Sequence, residues 1–154
     1  MLVRIKKDIV KAGTVTIFLL YLSSLFYLLF FSGYRHSVQG LIDYNLVPFK
    51  SIVNYILAFD GFSFYLLKDN FFGNINAFVP FGLLLPTLFE RLRSIKTIII
   101  ISFFMSLSIE ITQIVFRVGS FDVDDTILNT TGAIVGYGIY CLFLKKVRNG
   151  KIYY

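Results

Sequence analysis

Histidine and cysteine each occur once, as His36 and Cys141, and tryptophan does not occur. A lone cysteine excludes an intramolecular disulfide, so no external loop can be stapled. A lone histidine excludes lipid-phosphatase chemistry that needs a histidine pair, and no zinc-ligand spacing is present. Glycine-rich phosphate loops, dinucleotide-binding fingerprints, internal repeats and low-complexity tracts are missing too. Charge is the other scarcity: 16% of residues are charged, where soluble domains average about 25%.

Long apolar runs take the place of charge. Hydrophobic residues make up 56% of the chain and the mean hydropathy is +0.74. A hydrocarbon core needs about 20 apolar residues per helix, and four runs of that kind are present, at about 13–32, 71–89, 97–116 and 125–144. A soluble chain of this size cannot bury four helices that are apolar all round. The first run is too long for a signal-peptide core, and "GYRHS" after it has no small-x-small cleavage site, so it reads as a retained span. The pattern predicts an all-α membrane protein, one domain over residues 1–154, with four transmembrane helices.

The net charge of +6 is distributed as a topology signal, and no nucleic-acid partner is expected. Arg4, Lys6, Lys7 and Lys11 precede the first run. Arg91, Arg93 and Lys96 separate the second from the third, and Lys145, Lys146, Arg148 and Lys151 follow the fourth. All fall on one side, which the positive-inside rule makes cytoplasmic, with both termini there. The 33–70 connection is then external. Its segment "YNLVPFKSIVNYILAFDGFSFYLL" is rich in aromatics, with Tyr44, Phe49, Tyr55, Phe59, Phe62, Phe64 and Tyr65. Such a segment suits the outer membrane interface, or a lid over the bundle; the two are compatible.

Polar residues interrupt the last two runs. Glu110, Gln113 and Arg117 are spaced i, i+3, i+7, and Asp125, Asn129, Gly132 and Gly136 i, i+4, i+7, i+11; each set makes one helical face. A short turn makes the two helices neighbours. Gln113 lies roughly 6 Å below Arg117, and Glu110 about 10 Å below it. Arg117 is therefore expected to meet Asp122 or Asp125, and Gln113 to meet Asn129, with Glu110 deepest. Asn74 and Asn76 enter from the second run, and Pro80 frees the carbonyl of Asn76. An intramembrane ionisable group costs at least about 2.5 kcal/mol unless paired or hydrated, so the cluster should face inward. Asn74, Glu110, Gln113, Arg117, Asp122, Asp125 and Asn129 are the candidate ligand-binding set. A structural role competes for some of them. Asp122 and Asp125 suit the start of a helix, Gln113 and Asn129 interhelical hydrogen bonds, and Gly132 and Gly136 a packing seam.

The stretches "NLVPF" (45–49), "NINAFVPFG" (74–82) and "IEITQIVFRVGSFDVDDTILNTTGAIVG" (109–136) resemble, in order and spacing, the VanZ-like family of small membrane proteins. The resemblance covers residues 40 to 140. It implies a bacterial cytoplasmic-membrane protein of the cell envelope, linked to resistance to teicoplanin-type glycopeptide antibiotics, without implying a reaction. Three mechanisms are open. The first is binding or shielding of an amphiphile at the outer leaflet, a lipoglycopeptide or a lipid-linked cell-wall precursor, among membrane lipids. Arg117 would pair with a carboxylate or phosphate there. The second is an enzyme on a lipid-linked substrate, with Glu110 as proton acceptor and Asp122, Asp124 and Asp125 as candidate ligands for a hard divalent cation. No activated serine or cysteine nucleophile supports catalysis, and no organic cofactor is expected. The third is a small transporter, which with four spans would require a homo-oligomer. Binding is the favoured reading.

Overall fold

The computed structural model describes residues 2–33, 40, 43–57 and 71–149. In chain order the elements are α1 (Leu2–Phe30), β1 (Tyr44–Asn45), α2 (Lys50–Leu57), α3 (Gly73–Leu88), a 3-10 turn (Glu90–Leu92), α4 (Ile95–Val115), β2 (Phe121–Asp122) and α5 (Val123–Asn149). His36 and the aromatics Phe59, Phe62, Phe64 and Tyr65 lie outside the described residues.

Among the described residues three helices are long and apolar enough to cross a membrane: Asp8–Phe30, Ile95–Val115 and Val123–Phe143. The second expected span differs. Its helix has only 16 residues, about 24 Å of rise. At its far end the backbone turns extended at Phe89, directly after a turn carrying Pro86, which cannot donate to the helical ladder. Two other expected runs are longer as helices, since α1 starts well before residue 13 and α5 passes residue 144, while α4 nearly matches its run.

α3 and α5 pack most closely, running in the same direction although α4 separates them in sequence. Gly132 lies against the Ile75 backbone, Gly136 against Val79 and Gly82 against Ala133; a Cβ on any of the three would overlap a main-chain carbonyl. Small residues let backbones approach where dispersion rather than water exclusion drives association. The glycine seam expected on the last span therefore exists, and it faces α3. Around it Phe78, Phe81, Leu85, Ile98 and Ala133 form the core, with Leu25 the buried contribution of α1.

α1 is peripheral. Leu19, Leu20, Phe26, Tyr27 and Leu28 are all exposed, as a lipid-facing helix requires. The Tyr21 hydroxyl donates to the Ala77 carbonyl at 2.7 Å, one residue from the carbonyl that Pro80 deprives of its helical donor. At the basic end Tyr137 donates to the Arg93 carbonyl at 2.7 Å, and the Arg93 Nε to the Pro86 carbonyl at 3.3 Å. The first bond fastens the α3–α4 turn to α5, and the second braces that turn against the end of α3.

Candidate functional site

The polar residues gather at the opposite end, where α4 stops and α5 starts. α4 closes through its own backbone. The Val118 amide reaches the Gln113 carbonyl at 2.9 Å and the Arg117 amide the Ile114 carbonyl at 3.1 Å, the paired bonds of a Schellman ending. Arg117 takes the left-handed position, φ 56°. Its carbonyl accepts the Gly40 amide at 2.9 Å.

This ending corrects the expected position of Arg117. The i+7 relation to Glu110 holds only while the helix continues, and the helix ends at Val115. Arg117 lies beyond it and is exposed. Among the described residues the one ion pair is Arg93 with Glu90, so Arg117 pairs with neither Asp122 nor Asp125.

The carboxylates instead organise the segment that carries β1 and α2. β1 and β2 form a two-residue parallel pair, Tyr44 beside Phe121 and Asn45 beside Asp122. Asp122 accepts the Asn45 side-chain amide at 3.0 Å and the Ser51 hydroxyl at 2.6 Å. It also accepts the Asp124 amide at 2.9 Å, which is the expected capping role at the start of α5. Asp124 is fully buried. Its two oxygens accept the Phe49 amide at 2.5 Å, the Ser51 amide at 2.7 Å and the Ile52 amide at 3.3 Å. An α5 residue thus caps the N-terminus of α2, where amides lack helical partners and a negative charge is favoured. Phe49, just before α2, is itself left-handed at φ 67°.

Below this clamp lies the buried layer. Glu110 is 3% exposed and its carboxylate accepts the Asp122 amide at 3.0 Å. It reaches up to the turn rather than sitting unpaired at depth. Gln113 donates to the Leu29 carbonyl of α1 at 3.0 Å, not to Asn129. Asn129 donates to the Ser106 hydroxyl at 2.8 Å, and Asn74 to Asp125 at 2.6 Å. The side-chain oxygens of Thr126 and Asn129 are buried with no hydrogen-bond partner among the described residues. Asp122, Asp124 and Asp125, weighed as cation ligands, are taken up by hydrogen bonds, Asp122 and Asp124 with the β1–α2 segment and Asp125 with Asn74. Among the described residues no three His, Cys, Asp or Glu side chains form a group suited to a metal ion.

Of the expected set, Glu110, Asp122, Asp125, Asn74, Gln113 and Asn129 all fall at this end of the bundle. Asn45, Ser51 and Ser106 are the partners that sequence reasoning left out. Asn45 had a signal, since it opens the "NLVPF" stretch; Ser51 and Ser106 are ordinary serines with none.

The VanZ/LLP1 family model matches residues 18–144. Protein VanZ of Enterococcus faecium is 29% identical over 138 residues, which cover 86% of this chain and 76% of that protein. No solved structure matches.

Proposed function

The chain belongs to the VanZ/LLP1 family, and on that premise we propose that it is a bacterial cell-envelope protein that binds or shields an amphiphile at the outer leaflet. Its effect is lowered sensitivity to teicoplanin-type glycopeptide antibiotics. In this reading α3 completes a fourth crossing, both termini are cytoplasmic, and residues 1–154 act as one membrane domain. The segment around α2 rests in the outer interface.

One observation carries the reading. A partly buried carboxylate-and-amide network, from the buried Glu110 to Asp122 to Asn45 and Ser51, lies beneath a segment whose outward side is apolar. Tyr44, Leu46, Val47, Phe49, Val53, Ile56 and Leu57 are exposed there, while Lys50 and Asn54 supply polarity. Water would not favour that surface; an interfacial layer does. Polar groups held under an apolar skin at the end of membrane-crossing helices suit a molecule with both a polar head and a hydrocarbon part. Arg117 is positioned at the rim of this end to meet a carboxylate or phosphate of such a head.

The test is protection from antibiotic, read beside the amount of protein in the membrane. Glu110→Gln keeps a side-chain oxygen for the Asp122 amide and removes the charge. Protection is expected to be lost at unchanged abundance. Full protection by this variant at normal abundance would overturn the reading and leave the network a scaffold.

A further inference from the structure

A groove of about 400 Å³ runs between α1 and α4, lined by Leu22, Leu25, Phe26 and Leu29 from one side and Met105 and Ile109 from the other. Both flanking helices are long and apolar enough to cross a membrane, so the groove opens toward hydrocarbon. Its upper end is defined. Met105, Ile109 and Gln113 succeed one another at i, i+4 and i+8 on α4, one face of the helix. Gln113 then bridges to the Leu29 carbonyl at 3.0 Å, which ties the two walls together at the top. Glu110, one residue past Ile109, begins the buried polar layer. An apolar trough therefore leads along one helix into the polar end of the molecule.

We infer that this groove seats a single acyl chain of the amphiphile whose head the polar end receives. The inference rests on the amphiphile reading above and adds the ligand's class: a molecule with a hydrocarbon tail that lies along α1, not a bare polar headgroup. Three features select an acyl chain over other occupants. The walls are aliphatic and aromatic with one serine, Ser23, so they offer a headgroup little to bond. The site is partly open, with Phe26 at its edge more than half exposed, which supplies entry from the lipid phase at the side. The Gln113 bridge marks the polar end of the trough, so the tail stops there and its head turns toward Glu110 and its neighbours. Without a tail the head would gain nothing from this trough, and without the polar end the trough would select no lipid over another.

The absence of tryptophan permits a clean test. Phe26→Trp places one fluorescent reporter at the groove, replacing ring with ring. Tyr27→Trp places one at nearly the same depth on an adjoining face of α1; both positions are more than half exposed. The full-length protein is reconstituted in nanodiscs of unlabelled phosphatidylglycerol and phosphatidylethanolamine. A single-chain monoacylglycerol brominated on its acyl chain is then titrated in. The Phe26→Trp signal is expected to fall along a saturating curve, and the Tyr27→Trp signal in proportion to bulk quencher. Ile109→Phe, which fills the trough, should convert the first behaviour into the second. Should Ile109→Phe fail to accumulate, the reporter pair decides alone. Equal, non-saturating quenching of both reporters would overturn the inference and leave ordinary surrounding lipid. The same titration with Glu110→Gln separates the two ideas. Saturation that survives while protection is lost supports groove and head site together. No saturation in any variant, with protection still lost on Glu110→Gln, removes the groove and keeps the head site.

Discussion

The Asp124 carboxylate accepts the backbone amide of Ser51 at 2.7 Å, joining positions 73 residues apart. With the Phe49 and Ile52 amides on the same carboxylate, it is a main tie between the α2 segment and the bundle. Hydrogen bonds to a charged group contribute about 1.5–3 kcal/mol each, so losing even two would cost about 3 kcal/mol or more locally. Asp124→Ala should free α2 from the bundle. Hydrogen exchange of the Ser51 and Ile52 amides is the measurement, and protection comparable to wild type would refute the clamp. Asp124→Asn, which keeps one acceptor oxygen, should fall between.

The glycine seam gives a prediction with an internal control. Gly132→Ala and Gly136→Ala each drive a Cβ into an α3 carbonyl, so both should lower thermal stability in detergent and membrane abundance. Gly138, also on α5, has nothing within 4 Å of the position a Cβ would take. Gly138→Ala should be neutral, or more stable by the roughly 0.5–1 kcal/mol that alanine gains over glycine in a helix. Equal effects at the three positions would show that the seam does not hold the helices together.

Arg117 separates charge from folding. Its left-handed backbone favours glycine, and its side chain is exposed, so Arg117→Gly should fold as well as wild type or better while protection is lost. A melting temperature well below wild type would mean that the guanidinium has a structural partner. Retained protection would mean that the charge has no role in binding.

Orientation is testable with thiols in a Cys141→Ser background. Ser120, in the α4–β2 turn, and Ser94, just before α4, are both exposed. A membrane-impermeant maleimide applied to whole cells should label Ser120→Cys, and label Ser94→Cys only after permeabilisation. The reverse pattern would invert the topology.

The sequence by itself determined what is local. Apolar run length sets which segments become membrane-length helices, because each residue's transfer preference adds along the run. Residue spacing sets which side chains share a face, and small residues mark where backbones can touch. Asp122 could be read as the opening of a helix because an N-cap bond joins near neighbours. The short third helix was harder to read: "NINAFVPFGLLLPTLF" is apolar enough for a span, but composition does not say where a proline-containing turn lets the backbone go extended.

Tertiary structure decided the partners. Spacing fixes a residue's height and face on its own helix, but not which neighbour that face meets. Gln113 meets a main-chain carbonyl of α1, and Asp124 meets main-chain amides of α2. Neither partner has a side-chain signature, since every residue carries the same groups. Arg117 left its expected face because a left-handed residue ended the helix two positions after its last regular turn. The α3–α5 seam joins helices that are not consecutive. Only the folded chain brings Ile75 to Gly132, because backbone approach depends on where three other segments leave room.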